Sequence, residues 1–264
     1  TSTLLSLLPE LIKVKPKLVI LLRGYKGTIK STHKVDPSHD TAITVGDEAL
    51  IYASSFKTFI SSNRLKAIKK IIKSENPDLI ILDDGFQDKK IKKNKNIILI
   101  NGSRGFGNGL LLPSGPLREI PSLALKKADI IILIGKDSTN FKGKYRNQID
   151  KKDLFKGEIV SIENGLNKNF LAFSGIGNNE SFFNTLEKNN YNLIKKLSFP
   201  DHYQYNKKEI EGIISTAKQN NLIPITTEKD IRRISPSLKK EIKYLKIKIE
   251  IDNKDDLINR ILEF

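Results

Sequence analysis

The stretch Asp78-Leu79-Ile80-Ile81-Leu82-Asp83-Asp84-Gly85-Phe86-Gln87 constrains the fold more than any other. Four consecutive aliphatic residues follow Pro77 and run into two adjacent carboxylates and a glycine. A short, isoleucine-rich run of this kind reads as a strand buried on both faces, as in a parallel sheet covered by helices. The chain leaves the sheet at the C-terminal end of that strand, where open α/β sheets bind ligands. Asp83 and Asp84 at such an edge suit a magnesium ion, which prefers hard oxygen ligands and keeps several waters. The plainer reading is an acidic, solvated strand-to-loop turn.

Other segments repeat the pattern. Residues 18–22 (LVILL), 97–100 and 129–134 read as further buried strands. Residues 1–13 have helical spacing of Leu4, Leu5, Leu8 and Ile12, interrupted by Pro9, and 65–74 is a basic amphipathic helix. A helix is expected near 123–127. Strands alternating with helices argue a doubly wound parallel sheet. Between residues 97 and 129 lies a long, apolar, glycine-rich segment. Loops of that length inside a compact domain are usually functional or disordered, and its apolar content argues against disorder. The polar stretch 143–157 is a plausible boundary. Beyond it, strands at 158–162, 171–173, 223–226 and 247–251 and helices at 181–188, 207–219 and 255–262 read as a smaller second α/β unit.

Composition narrows the partners. With 46 Lys and Arg against 30 Asp and Glu, the net charge is +16. Such a surface favours anionic partners, although a lysine-rich genome gives the same balance. Aromatic residues make up 7% of the 264, and neither an arginine-rich helix nor zinc-finger spacing is present, so nucleic acid is not expected. Cysteine is absent, which excludes disulfides, thiolate metal sites and a cysteine nucleophile. No apolar run approaches the ~20 residues of a membrane span, and no secretory signal is visible. Methionine is absent even at position 1, so the chain is expected to be processed or truncated.

Taken in order, Arg23-Gly24-Tyr25, Val45-Gly46-Asp47-Glu48, Asp83-Asp84-Gly85-Phe86-Gln87, Gly105-Phe106-Gly107-Asn108-Gly109 with Leu112-Pro113, Gly115-Pro116-Leu117-Arg118-Glu119, Phe173-Ser174-Gly175-Ile176, Pro200-Asp201-His202 and Thr227-Glu228-Lys229-Asp230 resemble the tetraacyldisaccharide 4'-kinase family over nearly the whole chain. Each motif alone is weak, but the ordered set is specific. The resemblance implies an α/β fold with a P-loop NTPase-like parallel sheet flanked by helices and a smaller C-terminal α/β domain. The kinase core is expected over 1–157, and two hinge strands with the smaller domain over 158–264. It implies transfer of the ATP γ-phosphate to the 4'-hydroxyl of a tetraacyl disaccharide 1-phosphate, with Mg2+, at the cytoplasmic face of the bacterial inner membrane. The partners implied are that lipid and an anionic membrane surface, with the chain a monomer. Thr1 is expected to be the threonine that ends the family's phosphate loop, so that the chain begins just after the loop's lysine. Such a chain alone would be a poor kinase. The runner-up is a non-catalytic scaffold that binds nucleotide or lipid.

The resemblance also assigns roles. Asp47 would be the general base and His202 its partner. The competing readings are that Asp47 caps the following helix and that His202 is a turn histidine satisfied by Asp201. Asp83, Asp84 and Glu119 would hold or orient magnesium. Thr1 and Arg118 would bind the nucleotide. Arg64 would bind substrate phosphate, against a surface charge at a helix start. Tyr25 would contact sugar or lipid, against packing in the core. Asn108 would shape its loop or touch substrate, and Leu110, Leu111 and Leu112 would meet acyl chains or the core. His33 and His39 match no motif and are expected in a mobile loop. Asp88, Ala49, Leu22, Asn94 and Asn101 depart from the family's usual residues without removing a proposed catalytic group.

Overall fold

The structure is a computed structural model and describes residues 1–165 and 168–263. In chain order the elements are α1 (Ser2–Val14), β1 (Leu18–Leu22), β2 (His33–Lys34), α2 (Ala42–Val45), α3 (Asp47–Ala53), β3 (Thr58–Ile60), α4 (Arg64–Glu75), β4 (Leu79–Leu82), β5 (Ile97–Asn101), α5 (Pro121–Lys127) and β6 (Ile130–Ile134). They continue with α6 (Phe141–Lys144), α7 (Arg146–Ile149), β7 (Asp153–Ser161), β8 (Asn169–Ser174), α8 (Asn179–Lys188), β9 (Asn192–Ser198), α9 (Lys207–Gln219), β10 (Ile223–Thr227), α10 (Glu228–Ile231), α11 (Pro236–Lys239), β11 (Lys243–Leu245), β12 (Ile247–Ile251) and α12 (Lys254–Leu262).

The chain divides into two compact units. One comprises Thr1–Arg23, Asn63–Ile159 and Ile249–Phe264; the other comprises Gly24–Ser62 and Val160–Lys248. This division differs from a single boundary after residue 157 in two respects. Residues 24–62 group with the C-terminal half, and the last helix returns to the first unit. The expected boundary stretch 143–157 instead holds the end of α6, all of α7 and the first part of β7.

In the first unit, β1 and β4 pair in parallel, Leu18 opposite Leu79 through Leu21 opposite Leu82. β5, β6 and β7 form a second parallel set with β6 in the middle. Burial differs among these strands. β1 and the body of β6 are buried. β4 was expected to be buried on both faces, yet every residue of it is half-buried. Among the described residues it pairs with β1 alone, and β5 pairs with β6 alone. An aliphatic strand paired on one side keeps one flank open. The core of this unit packs Ile131 and Leu133 of β6 against Leu125, Phe141 and Ile149 from the helices. α1 runs unbroken through Pro9, which lies on the exposed face where water can satisfy the carbonyl that the ring leaves unpaired.

The second unit is built on β11-β10-β8-β9, all parallel. Its strands obey the two-residue period. Leu171 and Phe173 of β8 face α9 through Ile210, Ile213, Ile214 and Ala217. Phe170 and Ala172 face α8 through Phe182, Phe183 and Leu186. Asn206 opens α9 with a reciprocal capping box: its side chain accepts from the Glu209 N–H, and the Glu209 carboxylate accepts from the Asn206 N–H.

The central position of β6 has a measurable consequence. Ile131→Ala is expected to destabilise the protein by about 2–5 kcal/mol, as a large-to-small change in a closed core. Ile162→Ala, at a residue 58% exposed, should stay within about 0.5 kcal/mol of wild type. Denaturant titration of the two variants decides.

Candidate active site

Asp83 and Asp84 in the first unit follow the C-terminal end of parallel β4, and His202 in the second follows that of parallel β9, the usual ligand side of an open α/β sheet.

In the first unit, β4 delivers Asp83 and Asp84. The Asp83 N–H donates to the Leu21 carbonyl at 3.3 Å, which continues the β1–β4 ladder into the turn. The Asp84 N–H donates to Asp83 Oδ1 at 3.1 Å. Asp84 has a φ of 52°, a left-handed conformation that aspartate adopts more readily than most residues. Arg118 Nη1 donates to both Asp84 oxygens at 2.9 Å. Both side chains are largely exposed, so the pair contributes at most about 1 kcal/mol. Its effect is to hold the arginine beside the carboxylates.

Arg64, the first residue of α4, is buried, which excludes a surface charge. Its Nη2 donates to the Asp83 carbonyl at 2.9 Å, while its buried Nε has no hydrogen-bond partner among the described residues. Burial lowers the guanidinium pKa, opposed by Asp84 and Asp88. Glu119 accepts from Gln87 Nε2 at 3.2 Å and pairs with Lys127. Asn108 closes its loop: Nδ2 donates to the Ser114 carbonyl at 3.0 Å, and Oδ1 accepts from the Leu110 N–H at 3.1 Å. Leu110, Leu111 and Leu112 are exposed, so they do not belong to the core. Thr1 is the N-cap of α1.

Lys93 was not foreseen. Its ammonium donates to the carbonyls of Gly85, Phe86 and Asp88 at 3.2, 3.2 and 2.7 Å and gathers the turn after the two aspartates. As for magnesium, Asp83 and Asp84 supply two hard carboxylates. Among the described residues no closed group of three His, Cys, Asp or Glu side chains could hold a metal. A sparse oxygen set suits an ion that retains waters and binds substrate phosphates.

In the second unit Asp47 is the first residue of α3. The N-cap is Gly46, without a side-chain hydrogen bond, so Asp47 does not act as the cap. Its carboxylate serves the first turn, where negative charge is favoured by the helix dipole, but its bonds go elsewhere. Oδ2 accepts from Arg233 Nε at 2.9 Å and Arg233 Nη2 at 2.5 Å and lies 3.4 Å from His202 Nδ1. His202 thus faces Asp47, while its Nε2 is 4.0 Å from Asp201. Its backbone is left-handed, with φ 59°, and its N–H donates to the Gly175 carbonyl at 3.0 Å. Tyr25 is 68% exposed rather than packed in the core, and its ring meets His202 edge-on at 5.8 Å.

Arg233 is the other residue that sequence reasoning missed. It lies three positions beyond Asp230, in a segment read only as a helix start. Asp230 is fully buried and fixed by the Thr227 hydroxyl at 2.7 Å and the Gly175 N–H at 3.1 Å. Burial pushes its carboxyl above the ordinary range, opposed by those donors and by Arg233. Lys229 adds a 2.7 Å ion pair to Glu48. These two links, Arg233 to Asp47 and Lys229 to Glu48, join residues 24–62 to the C-terminal half within the second unit. Of the two unassigned histidines, His33 lies in a strand and His39 in the exposed turn that follows it. His33 begins β2 and bonds Asp40 at 2.8 Å, and His39 bonds Asp36 at 3.0 Å.

The family model for tetraacyldisaccharide-1-P 4'-kinase (LpxK) matches residues 1–264. The chain belongs to the tetraacyldisaccharide 4'-kinase family. The tetraacyldisaccharide 4'-kinase of Rickettsia typhi (strain ATCC VR-144 / Wilmington) is 37% identical over 258 residues, spanning 97% of this chain and 79% of the relative. That of Bartonella quintana (strain Toulouse) is 34% identical over 255 residues, spanning 92% and 72%. The crystal structure of the "apo" form of LpxK from Aquifex aeolicus in complex with ATP superposes with a TM-score of 0.73 at 25% identity, covering 98% of this chain and 82% of that one. The P-loop NTPase-like α/β fold expected from the resemblance is therefore the fold of this chain.

The geometry of Gly46 gives a test of how Asp47 is placed. Gly46 has φ +91°, and a Cβ there would lie 2.7 Å from the Tyr25 carbonyl oxygen. Gly46→Ala is expected to cost at least about 1–3 kcal/mol. Gly212→Ala, on an open face of α9 where a Cβ meets nothing, should gain about 0.5–1 kcal/mol from helix propensity. Thermal unfolding of the pair should shift in opposite directions.

Proposed function

We propose that this chain transfers the γ-phosphate of ATP to the 4'-hydroxyl of a tetraacyl disaccharide 1-phosphate in lipid A biosynthesis. Family membership over the full 264 residues is the observation that carries the reading, and the chemistry of the residues supports it. A phosphoryl transfer needs alignment and charge neutralisation more than covalent chemistry. Asp83 and Asp84 would hold Mg2+, which when bound neutralises phosphate charge. Arg118 stands beside them with a guanidinium able to turn from Asp84 to a phosphate. Arg64 holds the Asp83 carbonyl and keeps a spare N–H. Thr1 would contribute its hydroxyl to the nucleotide side, and Glu119 would support the metal's surroundings.

Asp47 is the proposed base. A sugar hydroxyl is a very weak acid, so the base takes the proton as the oxygen attacks. All the contacts described for the Asp47 carboxylate converge on Oδ2 and none involves Oδ1. One oxygen is anchored while the other is left for a substrate hydroxyl. His202 borders this carboxylate, and the exposed Tyr25 ring, which meets His202, suits a sugar face. The exposed Leu110, Leu111 and Leu112 suit acyl chains. No described helix is long and apolar enough to cross a membrane. The +16 charge would favour an anionic leaflet, in keeping with a peripheral place on the inner membrane.

The test is transfer of labelled γ-phosphate to a tetraacyl disaccharide 1-phosphate by the full-length gene product. Wild type is expected to be active with Mg2+ and inactive after chelation. Asp47→Ala should lower kcat by about 10²–10⁴-fold, the usual range for loss of a general base. A folded wild-type protein that transfers nothing, or an Asp47→Ala variant with unchanged kcat, would overturn the assignment.

A further inference from the structure

The side chain of Arg233 is 1% exposed and makes bonds in four directions. Nε and Nη2 donate to Asp47 Oδ2 at 2.9 and 2.5 Å. Nη1 donates to Asp230 Oδ1 and to the Gly175 carbonyl, each at 3.1 Å. Nη2 also lies 3.3 Å from His202 Nδ1. Gly175 is the turn after β8, and its carbonyl also accepts the His202 N–H. One guanidinium therefore ties together the helix start that carries Asp47, the ends of β8 and β10, and the turn that carries His202.

Donor chemistry decides what this does to the histidine. A guanidinium has five N–H donors and no acceptor. If Nη2 bonds to His202 Nδ1, that nitrogen must be the acceptor and the ring proton sits on Nε2. A direct bond from His202 to Asp47 needs the opposite arrangement, with the proton on Nδ1. The two bonds exclude one another on a neutral ring. The two separations are nearly equal, 3.3 Å from Nη2 to Nδ1 and 3.4 Å from Nδ1 to Oδ2, and geometry separates them: the guanidinium contact has hydrogen-bond geometry, while the contact to Oδ2 is one of ion-pair distance alone.

We propose that Arg233 is a positioning residue that joins Asp47 to His202 through its guanidinium, anchoring Asp47 by Oδ2 and fixing neutral His202 with its proton on Nε2. The carboxylate is then held in one orientation with Oδ1 turned to the hydroxyl it deprotonates, and His202 presents an N–H rather than a lone pair to whatever binds beside Tyr25. The anchor of this arrangement is Asp230, which is buried behind the arginine and held by Thr227 and Gly175. The inference rests on the proposed kinase reading for its kinetic consequence alone; the position of the ring proton is independent of turnover.

Two measurements test it. The chain has three histidines, so ¹⁵N-histidine labelling gives a spectrum that His33→Gln and His39→Gln assign. At alkaline pH, wild-type His202 is expected to show the Nε2–H tautomer. In Arg233→Met, Nδ1–H should gain population as the ring turns to Asp47. A wild-type ring protonated on Nδ1 would overturn the proposal, and this result is readable even if no variant at 233 folds. The second measurement is steady-state transfer by the full-length gene product. Arg233→Met should lower kcat about 100-fold, the scale of a misplaced reacting group, with KM for both substrates little changed. Arg233→Lys keeps the charge without the fork and should recover only part of the loss. Full recovery with lysine, or an unchanged kcat in Arg233→Met, would overturn it. Absence of transfer by wild type would refute the kinase reading while leaving the tautomer result to decide this one.

Discussion

One buried guanidinium faces two carboxylates, and the second unit depends on how that imbalance is resolved. Arg233 offers one positive charge to Asp47 and Asp230, both buried. Burying an unpaired charge is costly, and a buried pair is tolerated only where further hydrogen bonds complete it. Asp230 receives the Thr227 hydroxyl and the Gly175 N–H, and burial favours its protonated form. Tyr205, whose hydroxyl faces Asp230, is pushed up for the same reason, by burial first and then by that carboxyl. The arginine is thus held from behind by a carboxyl whose pKa burial raises, and it directs its fork to Asp47. An acid-base group that must act on a substrate needs to be fixed without being fully consumed by its own neighbours, and anchoring through a single oxygen satisfies both demands.

The first unit solves a different problem. Its two aspartates occupy the end of a half-buried strand, and the turn beyond them rests on the core through Phe86 and needs further stiffening around its carbonyls. Lys93 supplies the stiffness by binding three carbonyls, and Arg64 adds a fourth from the start of α4. Both cations bond backbone rather than carboxylate. The Arg118–Asp84 pair beside that turn is exposed and weak enough to exchange.

Much of this was legible in the sequence, for identifiable reasons. β1, α9 and β12 match the runs from which they were read, because strong periodicity and flanking turn residues agree there. Asp47, Asp83, Asp84 and His202 stood out through an ordered set of motifs, and the structure brings Asp47 and His202 together. β9 was missed because it lies at a sheet edge with only Leu193 and Leu197 half-buried and its other residues exposed, and it lacks the apolar run of a central strand. The burial of β4 was overestimated because a sequence shows a strand's composition but not the number of its neighbours. Arg233 was invisible for a related reason: 186 residues separate it from Asp47, and no local pattern marks an arginine whose partner is that distant.

Asp47 and Arg233 act as one unit, and a double-mutant cycle on unfolding free energy measures their coupling. Asp47→Asn, Arg233→Met and the double variant would be compared with wild type by denaturant titration. Each single change leaves a buried group without its partner, so the double variant should be less destabilised than the sum, with a coupling of at least about 1 kcal/mol. Additivity within about 0.5 kcal/mol would mean that the two side chains are neighbours without being partners, and would contradict the account.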